Sequence, residues 1–560
     1  MLTRRSLATS LAASFAAPFV HTAARGQSRR PPNVILVMSD DQGYGDLSLH
    51  GNPHLNTPNL DRIGRESAQF TQFQVCPVCS PTRSSLLTGR YNYRTGIVDT
   101  YLGRSMMWPD EVTLAEILKP AGYRTGIFGK WHLGDNYPLR SIDQGFDDSV
   151  VCTGGGLTQP SDPPGNLYTD PLLKVQGKWE KRSGYCTDIF FREAIAFLER
   201  NRRDPFFTYI ATNAPHTPLQ IADEYWKPFA AKGLDETTAK VYGMCRNLDD
   251  NMGRLLAALT RLELDRDTIL VFLTDNGPQQ PRYNAGMRGR KGSVYQGGIR
   301  VPFFFRWPGR VKPGQVDRIA AHIDVVPTLA ELCGVKLPAG HTPAGRIMDG
   351  RSLVPLLEGQ AASWPGRTLY TQWHRGDRPE LFRACAARTQ QYKLVNGSEL
   401  YDLAADPAEQ NDISIREPGI VTGMRKGVEE WFASVSAERN FEPPRIALGA
   451  PQENPVTLTR QDWRGPKANW DAHGIGHWEV DVRRPGRYDV TVRFAKAAAP
   501  GQVEVKLGSF TGTQSFEAGA VSATIARASL PRGPGQLEPL VKSSQTGTGA
   551  LYVDVKRLDP

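Results

Sequence analysis

The stretch NVILVMSDDQGYGD, residues 33–46, opens with an apolar run at 34–38 and breaks off into Ser39, Asp40 and Asp41. A short, continuously apolar run suits a strand buried on both faces, and its abrupt polar end is where such a strand leaves the sheet. The same design recurs downstream. Residues 123–128 run into Gly129, Lys130, Trp131 and His132; residues 206–210 lead to Asn213, Pro215 and His216; residues 269–273 lead to Thr274, Asp275, Asn276 and Gly277. Helical patterns at 114–118 and 189–198 lie between them. Strands alternating with helices over some 250 residues predict an α/β fold with a central, mostly parallel sheet covered on both faces. In such sheets ligands bind beyond the carboxyl ends of the strands, where these polar residues collect.

The chain has 560 residues, 40% hydrophobic and 22% charged, with 54 Gly and 42 Pro. That describes a loop-rich globular protein, neither collagenous nor disordered, with length for several domains. The formal charge is +9, yet no Lys/Arg-rich block forms a nucleic-acid arm. Seven cysteines are too few for a disulfide scaffold, and the odd number leaves at least one unpaired within a monomer. Arg4 and Arg5 precede an apolar, Ala-rich run at 7–20 and small residues near Ala24 and Gly26. Residues 1–26 therefore read as an export signal of twin-arginine type, which predicts the export machinery as a partner and a periplasmic or secreted protein. Ser10, Ser14 and Pro18 make that run a poor spanning helix, and no later stretch reads as a stable membrane span.

The α/β catalytic region is expected over residues 31–375. Short strands at 385–388, 392–395 and 399–403 with a helix at 419–434 suggest a small α+β subdomain over 376–445. From 451 to 560 the texture changes to that of an all-β sandwich. Trp478, Val480 and Val482 alternate with polar residues, Pro485 and Gly486 make a turn, and Tyr488, Val490, Val492 and Phe494 alternate again, which predicts a hairpin.

Residues 75–90, VCPVCSPTRSSLLTGR, carry the densest chemical signal. Pro81 and Gly89 bracket a short helix, so Cys79 would lie at its positive end near Arg83, where a thiol pKa is lowered and an anion stabilised. A buried structural cysteine is the plain alternative, and Cys76 with Cys79 as a redox CxxC is the sharper one. Asp40, Asp41, Asp275 and Asn276 are two polar pairs that singly read as turns or caps. Gathered at one sheet edge they form an all-oxygen ligand set suited to a hard cation such as Ca²⁺ or Mg²⁺. Lys130, His132, His216 and Lys291 would add cationic and proton-transferring groups around it.

CSPTRSSLLTGR resembles the Cys-x-Pro-x-Arg signature of the type I sulfatases. NVILVMSDDQGYGD, GKWHLG, APHTP, TDNG and GRKGSVYQGGIRVP resemble further family segments in the expected order, and agreement extends over roughly residues 33–410 through RTQQYKLVNGSELYDLAADPAEQ. The resemblance implies an alkaline-phosphatase-like sandwich and sulfate monoester hydrolysis, on an aryl sulfate or a sulfated carbohydrate. It implies that Cys79 is oxidised to 3-oxoalanine (formylglycine) by a formylglycine-generating or anaerobic sulfatase-maturing enzyme that recognises Pro81 and Arg83. Asp40, Asp41, Cys79, Asp275 and Asn276 would hold the cation, usually Ca²⁺. Arg83 would steady the aldehyde hydrate, and Lys130, His216 and Lys291 would bind the substrate. Asp275 would take the proton of the attacking hydroxyl, His216 with Lys291 would protonate the leaving group, and His132 would take the second hydroxyl's proton as sulfate departs. Thr82 stands where many members carry Ser, and Gln296 where Glu is common. Two rivals share parts of this pattern: a phosphonate or phosphate diester hydrolase of the same superfamily, and a carbohydrate-binding protein with a decayed catalytic domain and tryptophans Trp463, Trp470 and Trp478 in its sandwich. His374 and Arg375 are loop residues that could wall the pocket or simply be solvated.

Overall fold

Along the strand Asn33–Ser39, successive side chains enter two different cores. Val34, Leu36 and Met38 point to one face, Ile35 and Val37 to the other, as the two-residue period of a strand requires. The computed structural model describes residues 30–471, 473–543 and 546–559, so the export segment expected at 1–26 lies outside the described residues.

Asn33–Ser39 pairs in parallel with Phe206–Ala211 on one side and Thr268–Thr274 on the other, and Arg124–Lys130 extends the parallel set beyond Phe206–Ala211. These four strands form the middle of a ten-stranded sheet that becomes antiparallel where Phe303–Arg306 joins Thr268–Thr274. Helices Cys79–Thr88, Leu114–Leu118 and Val325–Leu332 cover one face. Pro58–Arg65, Cys186–Asn201 and Glu236–Arg261 cover the other. The predicted α/β architecture is therefore present, with the carboxyl ends of all four strands at one edge.

A four-stranded antiparallel sheet follows, Leu369–Gln372, Cys385–Arg388, Tyr392–Val395 and Glu399–Asp402, with Met424 and Val428 of the helix Pro418–Ala437 packed on Cys385, Ala387, Leu394 and Leu400. Beyond it, two β-sheets pack into a sandwich. One contains Ile446–Leu448, Trp478–Val482, Gly533–Ser543, Gly501–Leu507 and Phe510–Phe516; the other has the order Val456–Thr459, Tyr552–Arg557, Gly486–Arg493, Ser522–Leu530. The hairpin predicted around Pro485 and Gly486 does not form. Trp478–Val482 pairs with Gly533–Ser543, whereas Gly486–Arg493 pairs with Ser522–Leu530 and Tyr552–Arg557, so the turn carries the chain from one sheet to the other. Both strands aim their apolar residues into the same core, and crossing the sandwich satisfies that pattern as well as pairing would. Trp463 and Trp478 are fully buried in this core, leaving Trp470 as the exposed one of the three. Leu102, Met106 and Leu139, from the α/β region, are buried in the same core. No helix among the described residues is long and apolar enough to cross a membrane.

Gly129 shows how tightly the site edge is built. Its φ is +127°, and a Cβ there would lie 1.9 Å from the carbonyl oxygen of Ala211 on the neighbouring strand. Gly129→Ala should destabilise the protein by roughly 1–3 kcal/mol from backbone strain alone, more with the clash, and should lower the thermal melting midpoint of the purified protein; an unchanged midpoint would contradict this packing.

Candidate active site

The turn leaving the strand Asn33–Ser39 is held by its neighbours: Asp40 N–H donates to the Ala214 carbonyl at 3.0 Å and Asp275 N–H to the Ser39 carbonyl at 3.1 Å. Three strand ends are thereby pinned together. Asp41 and His132 both occupy the left-handed region, with φ of 60° and 58°, an arrangement uncommon for residues with a side chain and concentrated at functional sites. The helix Cys79–Thr88 points its first residue at this edge. It begins two residues before Pro81 and ends at Gly89, whose φ is 72°. Thr82 explains its own presence: its hydroxyl accepts from Cys76 N–H at 3.0 Å and donates to the Cys76 carbonyl at 3.3 Å, fixing the turn into the helix.

Asp40, Asp41, Cys79 and His216 each offer a potential ligand atom within 4.8 Å of the others. Arg83 donates to Asp275 at 2.9 Å and to Asp40 at 3.3 Å, and to the Lys130 carbonyl at 3.1 Å. Lys130 pairs with Asp40, and Lys291 with Asp41 at 2.5 Å. Asn276 Nδ2 donates to Asp41 Oδ1 at 2.8 Å. Every residue singled out for the metal set is thus at this edge. Asp275 joins it through hydrogen bonds, its Oδ1 taking the Asp41 N–H at 3.1 Å and its Oδ2 taking Arg83. His216, expected to bind the substrate and protonate the leaving group, stands beside the carboxylates as well, with Nε2 3.8 Å from Asp41 Oδ2.

The donor set fits a hard cation. Asp41 Oδ2 and Asn276 Oδ1 are buried oxygens with no hydrogen-bond partner, although such groups are almost always paired. Asp40, Asp41 and Asp275 face Arg83, Lys130 and Lys291, so the bare side chains balance, and a divalent cation would give the site the positive charge that a sulfate anion needs.

Burial alone would raise the Asp40 carboxyl, yet Lys130, His216, Arg83 and Lys291 hold it well below the usual range. Asp275 moves the other way, to about 6, because burial and the Asp40 charge outweigh Arg83 and Lys130. Like charges are being pushed apart, one carboxylate permanently ionised and the other able to take a proton. His216 is lowered by burial and Lys291 against the pull of Asp41 and Asp40. His132 is lowered by burial and Lys130. The carbonyls they meet fix their tautomers, since a carbonyl only accepts: His216 Nδ1 donates to Thr217 O at 2.5 Å, and His132 Nε2 donates to Thr100 O at 2.7 Å. His132 Nδ1 is buried without a partner.

One expectation fails. The Cys79 thiol is pushed up to about 12, not lowered, because burial and the Asp40 charge outweigh Lys130 and Lys291. Cys76 is also raised to about 12 by burial and lies against His322, with Sγ 3.4 Å from Nε2, so the CxxC holds two separate protonated thiols. All seven cysteines are free and buried. His374 is a loop brace, its Nε2 accepting from Glu380 N–H at 2.8 Å, while exposed Arg375 stacks over Tyr101 at 4.6 Å. Gln296 accepts from Gln74 Nε2 at 3.4 Å, and its backbone N–H donates to Glu409 at 2.6 Å.

The pairing of Arg282 with Asp46 was not foreseen from the sequence. Arg282 donates to the Asp41 carbonyl at 2.7 Å and pairs with Asp46 at 2.6 Å, both side chains almost fully buried. The pair braces the strained Asp41. Only the Asp closing GYGD hinted at it, and its partner is 236 residues away.

A family profile described as Sulfatase matches residues 32–335. The chain belongs to the sulfatase family. A second profile, N-sulphoglucosamine sulphohydrolase, C-terminal, matches residues 290–429 of this sulfatase, leaving the sandwich from Ile446 outside both matches. The sulfatase is 32% identical to arylsulfatase A of Homo sapiens over 444 residues, covering 72% of this chain and 83% of that protein. It is 33% identical to N-acetylgalactosamine-6-sulfatase of Homo sapiens over 380 residues, covering 62% and 69%. The crystal structure of Ps i-CgsB in complex with k-i-k-neocarrahexaose is similar with a TM-score of 0.65 at 29% identity, covering 72% of this chain and 93% of that one. The sulfatase is thus of type I, within the alkaline phosphatase superfamily, and hydrolyses sulfate esters. Membership implies a metal ion and formylglycine.

Arg282→Met should leave Asp46 buried and unpaired, at a cost of about 3–5 kcal/mol. The sulfatase should melt lower and need more divalent cation for half-maximal activity; unchanged cation dependence would separate Arg282 from the site.

Proposed function

We propose that this sulfatase cleaves sulfate monoesters with a formylglycine made from Cys79 and with Ca²⁺ held by Asp40, Asp41, Asp275, Asn276 and the side chain at 79. The observation that carries this reading is the Cys79 environment. A thiol pushed up to about 12 and facing Asp40 at 3.6 Å is a poor nucleophile as it stands, yet it is aimed at the one edge where carboxylates and cations gather. Oxidation to the aldehyde, whose hydrate supplies a hydroxyl for attack and a second for release, would give that position its chemistry. A divalent cation, when bound, would polarise a sulfate oxygen and favour ionisation of the nucleophile.

The remaining work falls to this chain's own side chains. Lys130 and Lys291 offset charge on the sulfate oxygens, whose repulsion would otherwise keep a nucleophile away. Arg83 fixes Asp40 and Asp275 relative to one another. Asp275, at about 6, is suited to take a proton near neutrality. His216, tethered through Nδ1, directs Nε2 toward the leaving oxygen, and the negative charge of a bound sulfate ester raises its proton affinity. His132, tethered through Nε2, keeps Nδ1 as the basic nitrogen. The export signal supports a periplasmic or secreted location, and a folded export route would let the maturing enzyme act before export.

Mass spectrometry of the peptide containing residue 79, from protein produced with a maturing enzyme, should find an aldehyde in place of the thiol. Cys79→Ser should lose multiple turnover of an aryl sulfate; undiminished turnover would sink the nucleophile assignment. Wild-type enzyme should hydrolyse aryl sulfates faster than aryl phosphonate esters, the reverse order favouring the diester hydrolase.

Chelation supplies an independent check. Ca²⁺ at a hundred times its Kd stabilises a folded site by about 2.7 kcal/mol. EDTA should therefore lower both turnover and melting temperature, and Ca²⁺ should restore both; a chelator with no effect on either would remove the cation from the proposal.

A further inference from the structure

The carbonyl that orients His132 is held from a second direction. Thr100 O accepts from His132 Nε2 at 2.7 Å and also from Gln461 Nε2 at 3.0 Å. Gln461 belongs to the sandwich, 361 residues along the chain and beyond both family matches. It is 1% exposed, so its amide nitrogen donates to protein partners. The same Nε2 donates to Ser105 Oγ at 3.1 Å, and the Gln461 carbonyl accepts from Gly103 N–H at 2.9 Å. Side chain and backbone of one residue therefore grip the segment 100–105 at three points.

Nearby groups reinforce the grip. Arg464 donates to the Gly103 carbonyl at 2.8 Å, and both Arg464 and Arg104 reach Asp377 Oδ1 at 2.8 Å. Trp373 donates to Asp99 at 2.9 Å. Leu102, with φ of 54°, is inserted into the sandwich core. The segment cannot move as a unit. Within it, the Gln461 donor holds the Thr100 carbonyl itself.

We propose that Gln461 is a positioning residue for His132, acting through the Thr100 carbonyl. A carbonyl oxygen has two lone pairs, and donors on both fix its direction. With that direction fixed, the imidazole keeps its proton on Nε2 and leaves Nδ1 unprotonated, since the partner of one ring nitrogen decides the state of the other. Without the amide, the peptide plane can tilt, the Nε2 bond weakens, and the alternative tautomer with a blocked Nδ1 becomes accessible. The sandwich is on this account a structural part of the active site. The inference rests on the proposed role of His132 as a base.

The test uses full-length, matured enzyme with Ca²⁺ and an aryl sulfate. Gln461→Met keeps the volume and removes the donor; Gln461→Leu serves if the first variant folds poorly, as judged by thermal melting. Losing a supporting hydrogen bond of this kind is expected to lower kcat by roughly tenfold to a hundredfold with KM unchanged. In a His132→Gln background the Gln461 substitution should add nothing, because the residue works only through the histidine. Full kcat in a folded Gln461 variant, while His132→Gln is impaired, would overturn the inference. So would additive losses in the double variant. Full kcat in His132→Gln alone would instead overturn the base assignment.

Discussion

Three carboxylates enclosed at one sheet edge set the terms for everything around them. Two unit charges 4 Å apart at an effective dielectric of about 20 interact by about 4 kcal/mol, so Asp40, Asp41 and Asp275 could not share that edge without compensation. Arg83 bridges two of them from the helix Cys79–Thr88, Lys130 arrives at the end of its own strand, and Lys291 arrives from a loop tied back to Pro278. The helix Cys79–Thr88, the strand order and the loop are thus held by one electrostatic requirement. Breaking a single pair would leave a buried charge exposed to its neighbours' fields, which is costlier than losing a surface ion pair.

The sheet and its active edge were legible because both obey local rules. Residues 34–38 and 269–273 are apolar runs with polar ends, and parallel strands in register put those ends side by side. Asp40, Asp41, Asp275 and Asn276 followed from that alignment. The Cys79 thiol was misjudged because a helix N-terminus and an arginine were weighed without the buried Asp40 beside them. Proximity across the sheet edge decided the sign, and proximity is what a linear sequence withholds.

The same limit explains the sandwich. Alternation in residues 478–482 and 486–493 correctly told which side chains turn inward, but alternation says nothing about which strand lies alongside. Arg282 and Gln461 were unreadable for a related reason. An arginine in a Pro-rich loop and a glutamine in a turn look solvated until the fold delivers Asp46 to one and Thr100 to the other.

The strand Tyr552–Arg557 lies between Val456–Thr459 and Gly486–Arg493, inside its sheet and not at an edge. A ribosome delivers residues in order, so this sheet lacks its middle until residue 557 has emerged. The core that receives Leu102 stays open for the same interval. Chains interrupted upstream would carry every motif of the catalytic region and still lack the closed core that receives Leu102. Synthesis itself therefore acts as a timer, completing this sheet only once residue 557 has emerged.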